Sequence, residues 1–438
     1  MKLNPLAEEL NGILSREAPP VLDMLSALGK RLYFPKGILS QSAEAKVKAH
    51  RFNATIGIAT EGGGPMHLAS VHKHFQGLGP KDIYPYAPVS GKPELREAWQ
   101  TKQLEENPRM RGKAMGLPIV TSALTHGLSL VAELFADPGD PVILPDQLWG
   151  NYRLTYEVRQ GAVVETFPFF DGDRFNRAAF DAVVKGAAAR ARKIIPILNF
   201  PNNPTGFTPD AEDAEAIAGS LKAVAEKGTL VVAVIDDAYF GLFYDDLCLK
   251  ESLFGTLAGL HPNILAIRLD GATKEEFVWG LRVGFLTYGA AGKGDLKAVH
   301  GALEKKTCGA IRAGISNSPH PAQSIVLGAL RSPEFKTEQA QKRAILKGRA
   351  LKVKEVLGRP ELAGAWVPYP FNSGYFMCIR LLELEAEKLR VHLLDRYGLG
   401  TIATAKHDIR IAFSCLEEGQ ILEVFQTIRQ GVKDLSGK

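Results

Sequence analysis

The chain has 438 residues, 45% hydrophobic and 23% charged, a balance that suits a packed globular protein and excludes a disordered or fibrous one. Its net charge of +5 is small, and Lys and Arg interleave with Asp and Glu, so no nucleic-acid partner is expected and the mild excess suits an anionic ligand. Four cysteines (Cys248, Cys308, Cys378, Cys415) without a Cys-x-x-Cys pair argue against a zinc site or a disulfide framework and for a reducing cytoplasm, and no apolar run is long enough for a signal peptide or a membrane span.

In chain order, residues 1–59 read as part of a smaller domain, completed by residues 336–438; residues 60–335 read as a larger one, with a cleft between them. Glu61-Gly62-Gly63-Gly64-Pro65 is a flexible loop and a weak phosphate-loop candidate. From about residue 115 to 290, apolar runs alternate with helix-like stretches: Leu117 to Val120, Pro141 to Leu144, Ile194 to Leu198, Leu230 to Ile235, Ile264 to Leu269 and Val283 to Thr287. Runs apolar on both faces and separated by helices predict a mostly parallel sheet in an α/β fold. Thr208-Pro209-Asp210 opens a helix, with Pro at its first position and acidic residues in its first turn, ending near Gly228. Beyond about residue 335 a long charged helix through Lys352 to Val356 precedes apolar segments at Tyr375 to Ile379 and Ile409 to Phe413.

Polar residues gather where the strands end: Asn203 after Leu198, Asp236 after Ile235, Lys274 after Leu269. Ligands of open α/β sheets bind beyond the carboxyl ends of the strands, so these residues converge on one site. Lys274 in Asp-Gly-Ala-Thr-Lys, with Arg282 eight residues on in Gly-Leu-Arg-Val-Gly, pairs a carbonyl nucleophile with a phosphate fork. An aldehyde partner and a phosphate partner together indicate pyridoxal phosphate. Its chemistry needs a carboxylate against the pyridine nitrogen, which Asp236 supplies, and donors to the ring oxygen, for which Asn203 and Tyr239 suit. Taken alone, Asn202-Asn203-Pro204-Thr205-Gly206 is also a good turn sequence.

With these residues in order, the chain resembles the fold-type I pyridoxal phosphate aminotransferases of class I and II, and in particular the aspartate aminotransferase branch, from about Asn53 to Ser414. The resemblance implies a mostly parallel seven-stranded sheet sandwiched by helices, a smaller α+β domain and a homodimer with shared active sites. It implies that Lys274 bonds covalently to the cofactor, Asp236 pairs with the pyridine nitrogen, Asn203 and Tyr239 hold the ring oxygen, and Arg282 binds phosphate. Trp149 in Leu-Trp-Gly-Asn-Tyr looks like the aromatic that stacks on the ring. Ala123, Leu124 and Thr125 stand in the strand-to-helix phosphate loop, with Thr273 beside the lysine. Tyr86 resembles a tyrosine that reaches the phosphate of the neighbouring subunit. Gly57 resembles a backbone position near substrate, and Arg410 in Ile-Arg-Ile-Ala-Phe-Ser resembles the arginine that takes the substrate α-carboxylate. Arg312, in Ile-Arg-Ala-Gly-Ile-Ser-Asn-Ser-Pro, matches the arginine lent across the dimer to a distal carboxylate; the other reading is a surface arginine continuing the Lys305, Lys306 run. The activity implied is amino transfer from an L-amino acid, aspartate or glutamate favoured and aromatic ones possible, to a 2-oxo acid such as 2-oxoglutarate by a ping-pong mechanism.

Departures from the family pattern are Gly271, where relatives carry a phosphate-binding serine, Ala123 and Leu124 in place of a Gly-containing pair, and Leu198 and Tyr152 where histidines stand behind the pyridine-binding aspartate. Two rivals share the constellation: a lyase, decarboxylase or racemase on the same fold, and a non-enzymatic sensor of pyridoxal phosphate or an amino acid.

Overall fold

A computed structural model describes residues 3–35 and 37–437. Its centre is a seven-stranded sheet of β1 (Ile119–Thr121), β2 (Pro141–Pro145), β3 (Val163–Phe167), β4 (Lys193–Asn199), β5 (Leu230–Asp236), β6 (Ile264–Asp270) and β7 (Gly284–Gly289), in spatial order β1-β7-β6-β5-β4-β2-β3. Only β7 is antiparallel to its neighbours. The expected strands all appear. The one the apolar runs did not indicate is β3, an edge strand whose Val-Val-Glu-Thr-Phe sequence is only half-buried and so carries no continuous apolar signal.

Alternation along β5 shows why the inner strands read as unbroken apolar runs. Val231, Ala233 and Ile235 enter one core layer with Ile217 and Leu221 of helix α3, whereas Val232 and Val234 enter the other. Each large side chain so buried contributes roughly 1.5–3 kcal/mol. The helices that bear on the site are α1 (Pro93–Glu106), α2 (Ala123–Phe135), α3 (Ala211–Glu226), α4 (Leu296–Gly314) and α5 (Phe335–Leu357). Helix α3 starts two residues later than the Thr-Pro-Asp signal implied, at Ala211 instead of Pro209. Its cap is Asp210, whose carboxylate accepts from the Asp213 amide at 2.8 Å, and Asp213 reaches back to the Asp210 amide, so Pro209 precedes the cap instead of following it.

A second, antiparallel sheet is built from β8 (Trp366–Pro368), β9 (Met377–Leu381), β10 (Ile402–Ala403) and β11 (Asp408–Ile411), in order β8-β9-β11-β10. The short strand Phe52–Asn53 pairs parallel with Leu399–Gly400, and the Ala412 amide donates to the Ala54 carbonyl, which draws the N-terminal segment to the C-terminal sheet. Residues 60–65, read above as a flexible loop with phosphate-loop potential, form a tight hairpin instead: Thr60–Glu61 pairs with Gly64–Pro65 around Gly62 and Gly63, both at positive φ, and the Gly62 amide is taken by Glu417.

Candidate active site

The carboxyl ends of β4, β5 and β6 place Asn199, Asp236 and Leu269 in register, and the chain beyond each end turns over the sheet edge. A cavity of about 300 Å³ opens there. Its walls include Ala123, Leu124, Thr125, Trp149, Asn203, Asp236, Tyr239, Thr273, Lys274, Arg282, Gly57 and Arg410. Every site residue expected from the sequence is therefore brought together except Tyr86 and Arg312. Tyr86 is 88% exposed, and Arg312 is exposed on the last turn of α4, donating to the Ser316 hydroxyl at 2.6 Å.

Lys274 sits in the short turn Ala272–Glu275, with its amine 4.9 Å from the centre of the Tyr239 ring. Burial pushes its pKa from 10.5 down to about 8; the Asp236 carboxylate opposes the fall and the Arg282 cation adds to it. Asp236 accepts from the Tyr152 hydroxyl at 2.6 Å and from the Ala238 amide at 3.1 Å. Burial raises its carboxyl, while the Tyr152 hydrogen bond and the charge of Lys274 hold it back. Asp237 projects to the other face of the sheet, as alternation requires, and is paired there with the buried Arg268 at 2.7 Å.

The Asn-Pro-Thr-Gly segment is both turn and site. Asn202 makes the turn, accepting from the Thr205 amide and hydroxyl, which leaves Asn203 to face the cavity with its own amide held by the Asn199 side chain at 2.9 Å. Gly206 closes the turn at a φ of +75°, where a Cβ would lie 2.1 Å from the Phe376 carbonyl oxygen, so no other residue fits.

At one end of the cavity, α2 begins at Ala123 without a side-chain cap, leaving the amides of its first turn directed at the site. Ala123 takes the left-handed φ of 63° that a glycine holds more easily. The missing serine at Gly271 has a steric cause: a Cβ there would lie 2.7 Å from Gly284 Cα and 2.8 Å from the Val283 carbonyl oxygen. Arg282, itself at φ 55°, donates to the Trp279 carbonyl at 3.0 Å and has no carboxylate partner among the described residues. At the other end Arg410 is 1% exposed and equally without an acid. Its guanidinium donates to Asn203 Oδ1 at 3.0 Å and to the Thr55 carbonyl at 2.7 Å and lies 4.1 Å from the Phe376 ring centre; its Nε has no partner. A buried arginine without an anion, an uncapped helix start with a free arginine, and a buried carboxylate beside a lysine of lowered pKa suit one elongated group with a phosphate, a ring nitrogen and an aldehyde, next to a second ligand carrying a carboxylate.

The family profile described as aminotransferase class I and II matches residues 70–428. The chain belongs to that family. It is an aminotransferase, and its cofactor is pyridoxal phosphate. One relative is the probable aspartate/prephenate aminotransferase of Aquifex aeolicus, 26% identical over 362 residues that cover 80% of this chain and 84% of that one. The fold is shared with a crystal structure of an aminotransferase from Anaerococcus prevotii, at a TM-score of 0.82 and 23% identity over 93% of this chain and 98% of the other. It is shared too with the α-aminoadipate aminotransferase of Thermus thermophilus, solved with N-(5'-phosphopyridoxyl)-L-leucine, at 0.74 and 20% identity over 95% and 98%.

The sequence reading of this aminotransferase passed over five wall residues: Ile38, Asn199, Ala238, Trp279 and Phe376. Asn199 was one residue past the apolar run that marked β4, and Trp279 lies between Lys274 and Arg282, so both were within reach of the spacing already used. Ile38 and Phe376 arrive through tertiary packing and leave no local signal. Among the described residues no cluster of His, Cys, Asp and Glu is arranged to hold a metal ion, and no helix is long and apolar enough to cross a membrane.

Proposed function

We propose that this aminotransferase moves the amino group of an L-amino acid to a 2-oxo acid in two half-reactions at the cavity around Lys274, each substrate held by its carboxylate on Arg410. The observation that carries this reading is Arg410 itself: a cation 1% exposed, with no acid and an unpartnered Nε, on the cavity that holds Lys274. Burying such a charge is costly unless an anion arrives to meet it.

Bound pyridoxal phosphate supplies the electron sink that acidifies the α-C–H bond of an amino acid. The residues around it have separable tasks. The amides at the start of α2, with Arg282 and the Thr273 hydroxyl, would hold the phosphate; Asp236, backed by Tyr152, would hold the proton on the ring nitrogen; Asn203 and Tyr239 would hold the ring oxygen; Trp149 would cover a ring face. Lys274 Nζ, with a pKa of about 8, both accepts and returns a proton near neutral pH, which is what moving a proton from the α-carbon requires. Trp149, Phe376 and Ile38 are apolar walls that limit water beside the reacting bond.

Among the described residues the cavity's own cations are Lys274, Arg282 and Arg410, which leaves none of them for a second substrate carboxylate. Preference for aspartate or glutamate therefore rests on Arg312 supplied by a second copy of the chain, with Tyr86 crossing in the same way to the phosphate; the exposure of both side chains supports a homodimer of this kind. We further assign residues 60–335 to a cofactor-binding domain, residues 1–59 and 336–438 to a smaller one, and the enzyme to the cytoplasm and to amino acid biosynthesis. Arg312→Ala should lower kcat/KM for aspartate on the order of 10- to 100-fold, the worth of a charge-assisted hydrogen bond, and leave phenylalanine within about twofold. Equal losses for both substrates would reject the dicarboxylate assignment.

A further inference from the structure

The turn that presents Lys274 is gripped on two sides. After the lysine, Glu275 pairs with Lys102 of α1 at 3.0 Å, and Glu276 accepts from Gln339 of α5 at 2.8 Å. Before them, the carbonyl of Lys274 itself is met from the segment that leads into β9: the Tyr375 hydroxyl donates to it at 2.7 Å. Tyr375 is fully buried, at 0% exposure, and its ring meets that of Tyr239 edge-on at 5.4 Å. Its neighbour Phe376 lies under the Arg410 guanidinium and edge-on to Tyr239 at 5.5 Å. Two consecutive residues just before β9 therefore touch the backbone of the lysine, the ring-oxygen tyrosine and the carboxylate-binding arginine.

We infer that Tyr375 is a positioning residue for the reaction: its hydroxyl fixes the Lys274 turn, and its chain continuity with Phe376 sets the distance between the Lys274 amine and the carboxylate site at Arg410. This rests on the reading of Lys274 and Arg410 given above. The Lys274 side chain is flexible, so the orientation of its carbonyl, and with it the direction of its Cα–Cβ bond, decides how well Nζ is aimed. Errors of an ångström in such aim cost rate more than binding.

The test uses the cofactor-loaded enzyme and two variants, Tyr375→Phe and Tyr244→Phe. Tyr244 makes the same kind of bond one residue away: its buried hydroxyl donates to the Gly374 carbonyl at 2.7 Å and not to the Lys274 turn. Both variants should melt lower than the wild type by similar margins. Only Tyr375→Phe should slow the single-turnover conversion of the cofactor by L-glutamate, with L-phenylalanine as second probe, by about tenfold while leaving the half-saturating concentration within about twofold. Only Tyr375→Phe should shift the pH midpoint of the cofactor's visible absorption, by about half a pH unit, because that absorption reports the bond at Lys274 Nζ. Equal rates and equal midpoints in the two variants would overturn the inference and leave Tyr375 a structural tyrosine. Cofactor absorption that persists unchanged after Lys274→Ala would instead overturn the Lys274 reading on which it stands.

Discussion

Replacing Lys274 by methionine should stabilise the cofactor-free protein at neutral pH. The lysine's ordinary pKa of 10.5 falls to about 8 in the folded chain, because burial disfavours the ammonium more than Asp236 favours it. Below about pH 8 the amine is charged in both folded and unfolded chains, and folding carries the whole cost of burying it. Between about pH 8 and 10.5 the folded chain has released its proton while the unfolded chain still holds one, so stability rises with pH and the cost vanishes above the upper value. At roughly 1.36 kcal/mol per pH unit the cost is about 3 kcal/mol, a ceiling, since the side chain faces an open cavity and water there lowers it. Methionine keeps the stem and removes the charge. Urea denaturation of both cofactor-free proteins from pH 6 to 10.5 should show the variant more stable by about 1–3 kcal/mol at pH 7 and the gap closing above pH 8. A variant no more stable than wild type at pH 7, or a gap independent of pH, would refute a destabilised lysine.

Tyr152→Phe removes the donor at 2.6 Å from Asp236, and because that bond holds the Asp236 carboxyl down, its loss should raise the carboxyl further; the acidic limb of the kcat–pH profile should move to higher pH, with kcat at neutral pH falling about tenfold. Gly271→Ala drives a methyl into the backbone of Val283 and Gly284 and should cost about 1–3 kcal/mol in thermal unfolding, which would show that the absent serine reflects space and not lost function.

The parallel core of the sheet was legible because its strands are buried on both faces, so continuous apolar runs marked β2, β4, β5 and β6. Edge strand β3 was not, because half-burial leaves a mixed sequence. On the cavity wall, Asp236, Asn203, Tyr239 and Lys274 were legible because each stands at or shortly past the carboxyl end of a strand, and Arg282 because it just precedes β7, whose start adjoins the end of β6; the sheet converts that order into proximity. Tyr152 was noticed only as a departure, and its bond to Asp236 needed the packing of the π-helical stretch Arg153–Arg159 that follows it. Tyr375 on the Lys274 carbonyl joins segments 101 residues apart, and Phe376 meets Arg410 only through the packing of the segment before β9 against β11; a single sequence carries no trace of such pairings.

The central claim, that Lys274 and Arg410 together make this cavity an amino-transfer site, is tested most directly by mixing the cofactor-loaded enzyme with single amino acids, no 2-oxo acid present, and following the cofactor's absorption. Conversion to the amine form, one 2-oxo acid released per site, reversed by adding 2-oxoglutarate and abolished by Lys274→Ala, is the predicted result, with Arg410→Ala needing far higher amino acid concentrations. Release of carbon dioxide, ammonia or an eliminated group without conversion of the cofactor, or no change with any amino acid at full cofactor occupancy, would contradict it.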